Sequence, residues 1–357
     1  MRTRIDFATL SASLSDAEFR RIYRMGKPSF EKLVERLEPR LLVDDRMATI
    51  SSRGPISTSV RLAAALRFFA GASYLDIYPT YGMSRTSFYE IVHSVVDAIN
   101  EEFQVSFPMT NRNELEEMAD EHDSYLAHGN PLKGCVGAID GLCVRIKRPG
   151  KDVPNAASFW NRKGFYSFNV QGVTDAKYRF RFVSIKRTGA THDSLAYAVT
   201  GFHRELPSLL EPFWIAGDEA YPCGDKLLTP WSGRNLPSDK DSFNYWLSAH
   251  RCHVEQSFGM LVQRWGLLWR KIDISTDRVS KTVMAIVKMQ NFCLDEKERE
   301  LASIVTEKEQ EMRMYFGKLS TEDDTGRRRD LEQSNKRVNL TASLNDNGVR
   351  RPSRPCN

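Results

Sequence analysis

Apolar residues recur at three- and four-residue spacing through the first hundred positions and at alternate positions beyond about residue 135, so helices are expected first and strands afterwards. Leu14-Ser15-Asp16-Ala17-Glu18-Phe19 offers a capped start, and Phe30, Leu33, Val34, Leu37 and Leu41 carry the apolar stripe on, predicting helix across 14–43. A polar break with Gly54 and Pro55 follows. Val60, Leu62, Ala63, Leu66, Phe68 and Phe69 then predict a helix over Ser57–Phe69. Gly71 stops it, a short helix follows, and the turn Tyr81-Gly82-Met83-Ser84 supplies a serine cap for a helix over Arg85–Asn100. There Phe88, Ile91, Val92, Val95, Val96 and Ile99 form the buried stripe, leaving Arg85, Thr86, Ser87, Tyr89 and Glu90 at the exposed N-terminal turns. The outline at 57–100 is a helix-turn-helix, with Arg85, Thr86, Ser87 and Tyr89 placed to meet a major groove. A helical hairpin packed on its neighbour without touching DNA fits the same pattern.

Acidic residues crowd Glu114 to Asp123 and the turn Gly129-Asn130-Pro131 closes the stretch, so a linker is expected at 106–131 between a helical region at 1–105 and a second domain at 132–295. The alternation of Val136, Ala138 and Asp140 with Gly137, Ile139 and Gly141, continued by Leu142, Val144 and Ile146, predicts a strand that carries a carboxylate. Tyr166–Thr174 and Tyr178–Lys186, joined by the short turn at Asp175-Ala176-Lys177, read as an antiparallel pair. Asp193 or Ser194 is placed to cap a helix running to Leu206. A short apolar strand, Pro212 to Gly217, ends at Asp218; Leu227-Leu228-Thr229-Pro230 is strand-like, and a long helix is expected over Ser242–Arg270. Three strands, helix, strand, strand, helix is an α/β order, that of an RNase H-like core with a mixed sheet flanked by helices. Residues 296–357 are expected as a helical extension and a disordered polar tail with the basic runs Arg327-Arg328-Arg329 and Arg350-Arg351.

Composition narrows the class without choosing a function. With 41% hydrophobic and 27% charged residues over 357 positions the chain is an ordinary globular protein, not a collagenous, disulfide-scaffold or wholly disordered one. A formal charge of +5 permits a polyanionic partner. Six cysteines without a C-x-x-C pair are expected to be reduced thiols. No segment approaches the roughly 18 apolar residues of a membrane span, and the N-terminus lacks a secretory h-region.

Three acids stand out. Asp140 lies in a strand before Gly141, Asp218 ends another strand in Ala216-Gly217-Asp218-Glu219-Ala220-Tyr221-Pro222, and Glu255 lies on the long helix in Arg251 through Gly259. Phosphodiester cleavage needs an activated water or hydroxyl and neutralisation of the leaving oxygen, which two hard divalent ions about 4 Å apart supply together. Such ions take oxygen ligands, so the protein signature is two or three carboxylates brought together from separate elements. Singly, an Asp in a strand is as readily a turn or bulge residue, and a helix Glu is ordinarily solvated or paired with the Arg four residues before it, here Arg251.

Five ordered motifs, Gly137-Ala138-Ile139-Asp140-Gly141, Tyr166 through Gln171, Thr191-His192-Asp193-Ser194, Gly217 through Pro222 and Arg251 through Gly259, resemble PIF/Harbinger transposases and their HARBI-type nuclease relatives across about residues 55–295. The resemblance implies a DDE catalytic core using Mg2+ or Mn2+, action in the nucleus on double-stranded DNA, transposon excision and integration, and a separate Myb-like DNA-binding partner. A homo-oligomer is expected. Asp140, Asp218 and Glu255 become the implied catalytic acids and metal ligands, the last two 37 positions apart (255 − 218). Leu142 departs from the Thr often found after Asp-Gly. Asp193 competes with Asp218 as the second carboxylate and is read as a helix cap or as a group that orients the site. Asp175 is read as a turn residue.

Lys147, Arg148, Arg162, Lys163, Lys186 and Arg187 flank the motifs and are expected to hold phosphates without reading sequence, although strand ends carry such residues for solubility alone. His250, Cys252 and His253 do not converge from one helix as a four-ligand zinc site. Trp265, Leu268 and Trp269 are read as packing residues. Two further functions stay open: a host-adopted DNA-binding or scaffold protein that keeps the fold without cutting, and a ribonuclease sharing the metal chemistry.

Overall fold

A computed structural model describes residues 6–41, 56–125, 130–298 and 334–351. Gly54, Pro55, Gly129, Cys356 and the Arg327–Arg329 run lie outside the described residues. The chain divides into two compact units, one of Met1–Gln104, Val144–Phe168 and Gly259–Glu311, the other of Val105–Cys143, Asn169–Phe258 and Met312–Asn357.

The first unit opens with α1 (Phe7–Ser13), α2 (Asp16–Tyr23) and α3 (Lys27–Leu41). Ser15 and Glu18 close a capping box on α2, satisfying two N–H groups that a bare helix start leaves unpaired. The helical stretch expected over 14–43 is divided in two where Arg24 turns left-handed at φ 66° and ends α2. Next come α4 (Thr58–Phe69), α5 (Tyr74–Thr80) and α6 (Arg85–Glu102), whose N-terminal serines Ser57, Ser73 and Ser84 all accept first-turn N–H groups. Phe88, Ile91, Val92, Val95, Val96 and Ile99 are buried, the stripe expected of α6. Gly71, at φ +93°, is where a side chain cannot go: a Cβ there would stand 2.9 Å from the backbone carbon of Gly266.

The second unit begins with α7 (Arg112–Tyr125). The acidic stretch expected as a linker is this helix, because Leu115, Met118 and Ala119 put an apolar face into a cluster with Val136, Ile139 and Ile215 while the acids stay on the other side. Strands β1 (Cys135–Arg145), β2 (Ser167–Thr174), β3 (Phe180–Thr188), β4 (Trp214–Ala216) and β5 (Leu227–Leu228) form one sheet in the order β3-β2-β1-β4-β5. β4 runs parallel to β1 and to β5, whereas the short link from β2 to β3 requires those two to be antiparallel, so the sheet is mixed. Between β3 and β4 lie α8 (Asp193–Ala198) and α9 (Gly201–Glu205), two short pieces in place of one helix to Leu206. The long helix α10 spans Ser238–Arg264.

The first unit is completed by α11 (Thr276–Asp295), which packs on α6. The polar tail is not featureless: α12 (Asn335–Asp346) is docked in the second unit, with Arg337 fully buried over the Trp231 ring at 3.9 Å and donating to the carbonyls of Thr229 and Pro230. A guanidinium on an indole face anchors this helix, so its sequence lacks the apolar periodicity that would announce it. Among the described residues no helix is long and apolar enough to cross a membrane.

Candidate active site

Strand register brings two of the three acids together. Ala138 of β1 is paired with Ala216 of the parallel β4, and Asp140 and Asp218 each stand two positions further along the chain. Asp140 lies within β1 and Asp218 just past the end of β4; neighbouring strands lie about 4.8 Å apart, and the two carboxylates are close enough for the charge of Asp218 to act on Asp140. Asp140 Oδ1 accepts the Gly141 N–H at 2.8 Å, and Asp218 Oδ1 accepts that of Ala220 at 2.9 Å.

Both carboxyls sit above the ordinary acid range. Burial pushes Asp140 up to about 7, with the Asp218 charge next and Glu255 adding to it, against the Arg251 guanidinium and the Gly141 N–H. Burial also raises Asp218, with Asp193 and Glu219 adding, again against Arg251. Paired, partly desolvated carboxylates held by backbone N–H groups are a donor set that a hard divalent cation relieves, so the residues fit Mg2+ or Mn2+.

Glu255 takes the position weighed for it as an ordinary helix residue: it is exposed, and Arg251 Nη2 donates to its Oε1 at 3.3 Å. Arg251 is the basic group within electrostatic reach of Asp140, Asp218 and Glu255, so it stands among the acids as their counter-charge. Among the described residues the one group of three His, Cys, Asp or Glu with ligand atoms all within 4.8 Å is elsewhere, at His122, Cys135 and His250.

Asp193 is not a helix cap. His192 occupies that position on α8, without a side-chain bond, and Asp193 turns inward. Its Oδ1 accepts from Asn169 Nδ2 at 2.9 Å and Gln171 Nε2 at 2.8 Å. Asn169 and Gln171, two apart on β2, share one face, and the Tyr221 hydroxyl donates to Gln171 Oε1 at 2.6 Å. Three of the five sequence motifs are thereby joined by side-chain hydrogen bonds. Sequence reasoning missed Asn169, Gln171 and Tyr221 as a connected group; the polar Asn and Gln at alternate positions of a fully buried strand were the available signal.

The cationic positions divide. Lys147 pairs with Asp273 at 3.0 Å, and Arg148, Arg162, Lys163, Lys186 and Arg187 are exposed. On α6 Arg85 and Thr86 are exposed, Arg85 lies over the Tyr74 ring at 5.2 Å, Tyr89 packs on Tyr74, and Ser87 returns its N–H to the Ser84 cap. Asp175 is fully buried and accepts from the Lys177 and Arg179 N–H groups and from the Arg179 and Arg181 side chains, so it ties the β2–β3 turn. Trp265 and Leu268 are buried as expected, whereas Trp269 is 48% exposed.

Residues 139–291 match the family described as DDE superfamily endonuclease. The chain is also similar to Protein ALP1-like from Arabidopsis thaliana, 22% identical over 306 residues that cover 79% of this chain and 72% of that protein. No solved structure matches it.

Proposed function

We propose, from the match of residues 139–291 to the family described as DDE superfamily endonuclease, that the chain is a divalent-metal-dependent, Harbinger-type DNA endonuclease and strand transferase acting on double-stranded DNA in the nucleus. The observation that carries the proposal is the proximity of Asp140, on β1, to Asp218, two residues past the end of the neighbouring parallel strand β4. Asp140 and Asp218 hold the cation, which when bound supplies the acidity that makes water or a 3′ hydroxyl a nucleophile and the charge that stabilises the leaving oxygen. Glu255, now paired with Arg251, would be the third ligand to that cation, and Arg251 would be placed to neutralise a phosphate oxygen. Gln171 and Asn169 keep the Asp193 carboxylate fixed beside β1, so that it orients the site.

Arg148, Arg162, Lys163, Lys186 and Arg187 hold the DNA backbone, and the first turns of α6 with Arg85, Thr86, Ser87 and Tyr89 meet the groove. A Myb-like partner and self-association belong to the same proposal.

A second reading, a DNA-binding or scaffold protein that no longer cuts, is favoured by the Arg251–Glu255 pair, which leaves the third acid engaged. Incubating purified protein with terminal-repeat DNA and Mg2+ or Mn2+, alone and with a Myb-like partner, separates the two. Cation-dependent strand breaks support the endonuclease; retained binding without breaks supports the scaffold.

A further inference from the structure

Behind the candidate active site the second unit buries a cluster of soft ligands that the carboxylate chemistry does not use. His122 on α7, Cys135 at the start of β1 and His250 on α10 are each 0% exposed, and one ligand atom from each lies within 4.8 Å of the other two. His122 has both ring nitrogens buried without a hydrogen-bond partner. A neutral imidazole always carries one N–H donor and one lone pair, and leaving both unmet in a dry interior is costly, so such a ring calls for a ligand.

The hydrogen bonds around the cluster fix which atoms face it. Asn130 Oδ1 accepts the Leu132 N–H at 2.9 Å while Asn130 Nδ2 donates to Asp123 Oδ1 and the Leu132 carbonyl, so the amide orientation is set. The His250 Nε2, 3.0 Å from that same Oδ1, must therefore be the N–H donor. That leaves Nδ1, which is buried and without a hydrogen-bond partner, as the lone-pair nitrogen. A histidine whose outer N–H is held by a carbonyl oxygen while its other nitrogen is bare is the arrangement that metal-ligating imidazoles adopt. His253 lies alongside: its Nδ1 donates to the His250 carbonyl at 3.2 Å, its ring lying 4.9 Å from that of His122. Trp214, fully buried and edge-on to His250 at 5.5 Å, screens the cluster from water.

The geometry points to a structural zinc site in which His122, the Cys135 thiolate and His250 Nδ1 bind one Zn2+. Two imidazoles and a thiolate suit borderline-soft Zn2+ and not Mg2+ or Mn2+, so this site is separate from the carboxylates. Binding breaks the Cys135 S–H bond and releases that proton to solvent, with no change of oxidation state. In the metal-free protein burial instead keeps the thiol protonated, pushing it up to about 12.

The position gives the site its purpose. Cys135 precedes Asp140 on β1 by five residues, and His250 precedes Glu255 on α10 by five, so one ion clips together the two elements that carry two of the acids.

Zinc content of the full-length protein, purified without chelator and after tag removal, tests this. The expected result is about one tightly held zinc per chain, kept by Asp140→Asn and lost by Cys135→Ala and by His122→Phe. Cobalt substitution is expected to give a thiolate-to-cobalt charge-transfer band in the wild type. His122→Phe should lower the melting temperature, since loss of the ion outweighs the relief of two unpaired nitrogens. A wild-type protein that takes up no zinc and shows no such cobalt band overturns the site even if both variants fail to fold. So does zinc retained by the variants, or a His122→Phe protein that melts higher than wild type.

Discussion

Asp193 fills the space that Gly141 leaves open: a Cβ on Gly141 would stand 2.5 Å from Asp193 Oδ1 and 2.8 Å from Gln171 Nε2. Glycine after Asp140 thus makes room for a neighbouring carboxylate and the amide that holds it. Gly141→Ala is expected to push Asp193 away, cutting metal-dependent nicking by about 10–100-fold while the circular dichroism spectrum is retained. Nicking of supercoiled plasmid at wild-type rate would remove Asp193 from the site.

Tyr221 is buried, and burial with the Asp140, Asp193 and Asp218 charges holds its hydroxyl well above the ordinary tyrosine range, so it stays a donor to Gln171. Tyr221→Phe leaves Gln171 Oε1 without that donor and is expected to cost about 1–3 kcal/mol in denaturant unfolding. An unchanged midpoint and slope would show the bond to be dispensable.

Much of this arrangement could be read in the chain. Serine caps at Ser15 and Ser84 and alternation around Asp140 located the elements, whereas the pairing of β1 with β4 that brings Asp218 toward Asp140 is visible only in the sheet. The Asn169–Asp193–Gln171–Tyr221 network was out of reach, because its members come from separate elements and the Asp193 bonds span 22 and 24 positions, the Tyr221 bond 50. Local pattern offered Asp193 only a cap, a role that tertiary partners overrode. Helix α12 was hidden for a different reason: it docks through Arg337, a residue that periodicity assigns to solvent. The cluster of His122, Cys135 and His250 spans α7, β1 and α10, whereas sequence spacing tested only the histidines and cysteine of one helix.

Asp140 also fixes a pH dependence. Its value is raised in the folded state, to about 7 against an ordinary carboxylate near 4, so the metal-free folded protein holds a proton that the unfolded chain has lost. This group's contribution to stability is full below about pH 4, declines as pH rises to about 7, and is level above. Because Mg2+ binds the ionised carboxyl, the rise in melting temperature that it causes should grow from pH 5 to about 7 and then plateau. Arg251→Ala, which removes the opposing charge, should shift that rise to higher pH. A Mg2+ effect equal at pH 5 and 8 would contradict the assignment.

Asp175 serves as the structural counterpart. Two arginine side chains and two backbone N–H groups converge on this fully buried carboxylate. Asp175→Ala strands those donors and is expected to destabilise the protein by about 3–5 kcal/mol, read by urea unfolding. Protein that still folds should bind Mn2+ with wild-type affinity; loss of Mn2+ binding without loss of stability would place Asp175 in the metal site instead.

The proposed function rests on Asp140 and Asp218 together holding the cation for DNA cleavage. Its most direct measurement is the single-turnover rate of Mn2+-dependent nicking of supercoiled DNA by the wild type, Asp140→Ala and Asp218→Ala side by side, with zinc content and melting temperature recorded for each. The expected result is strand breakage by the wild type that EDTA stops and that both substitutions abolish in folded protein. Breakage that survives either substitution, or a wild type that leaves the DNA intact with Mn2+ and a Myb-like partner present, would contradict it.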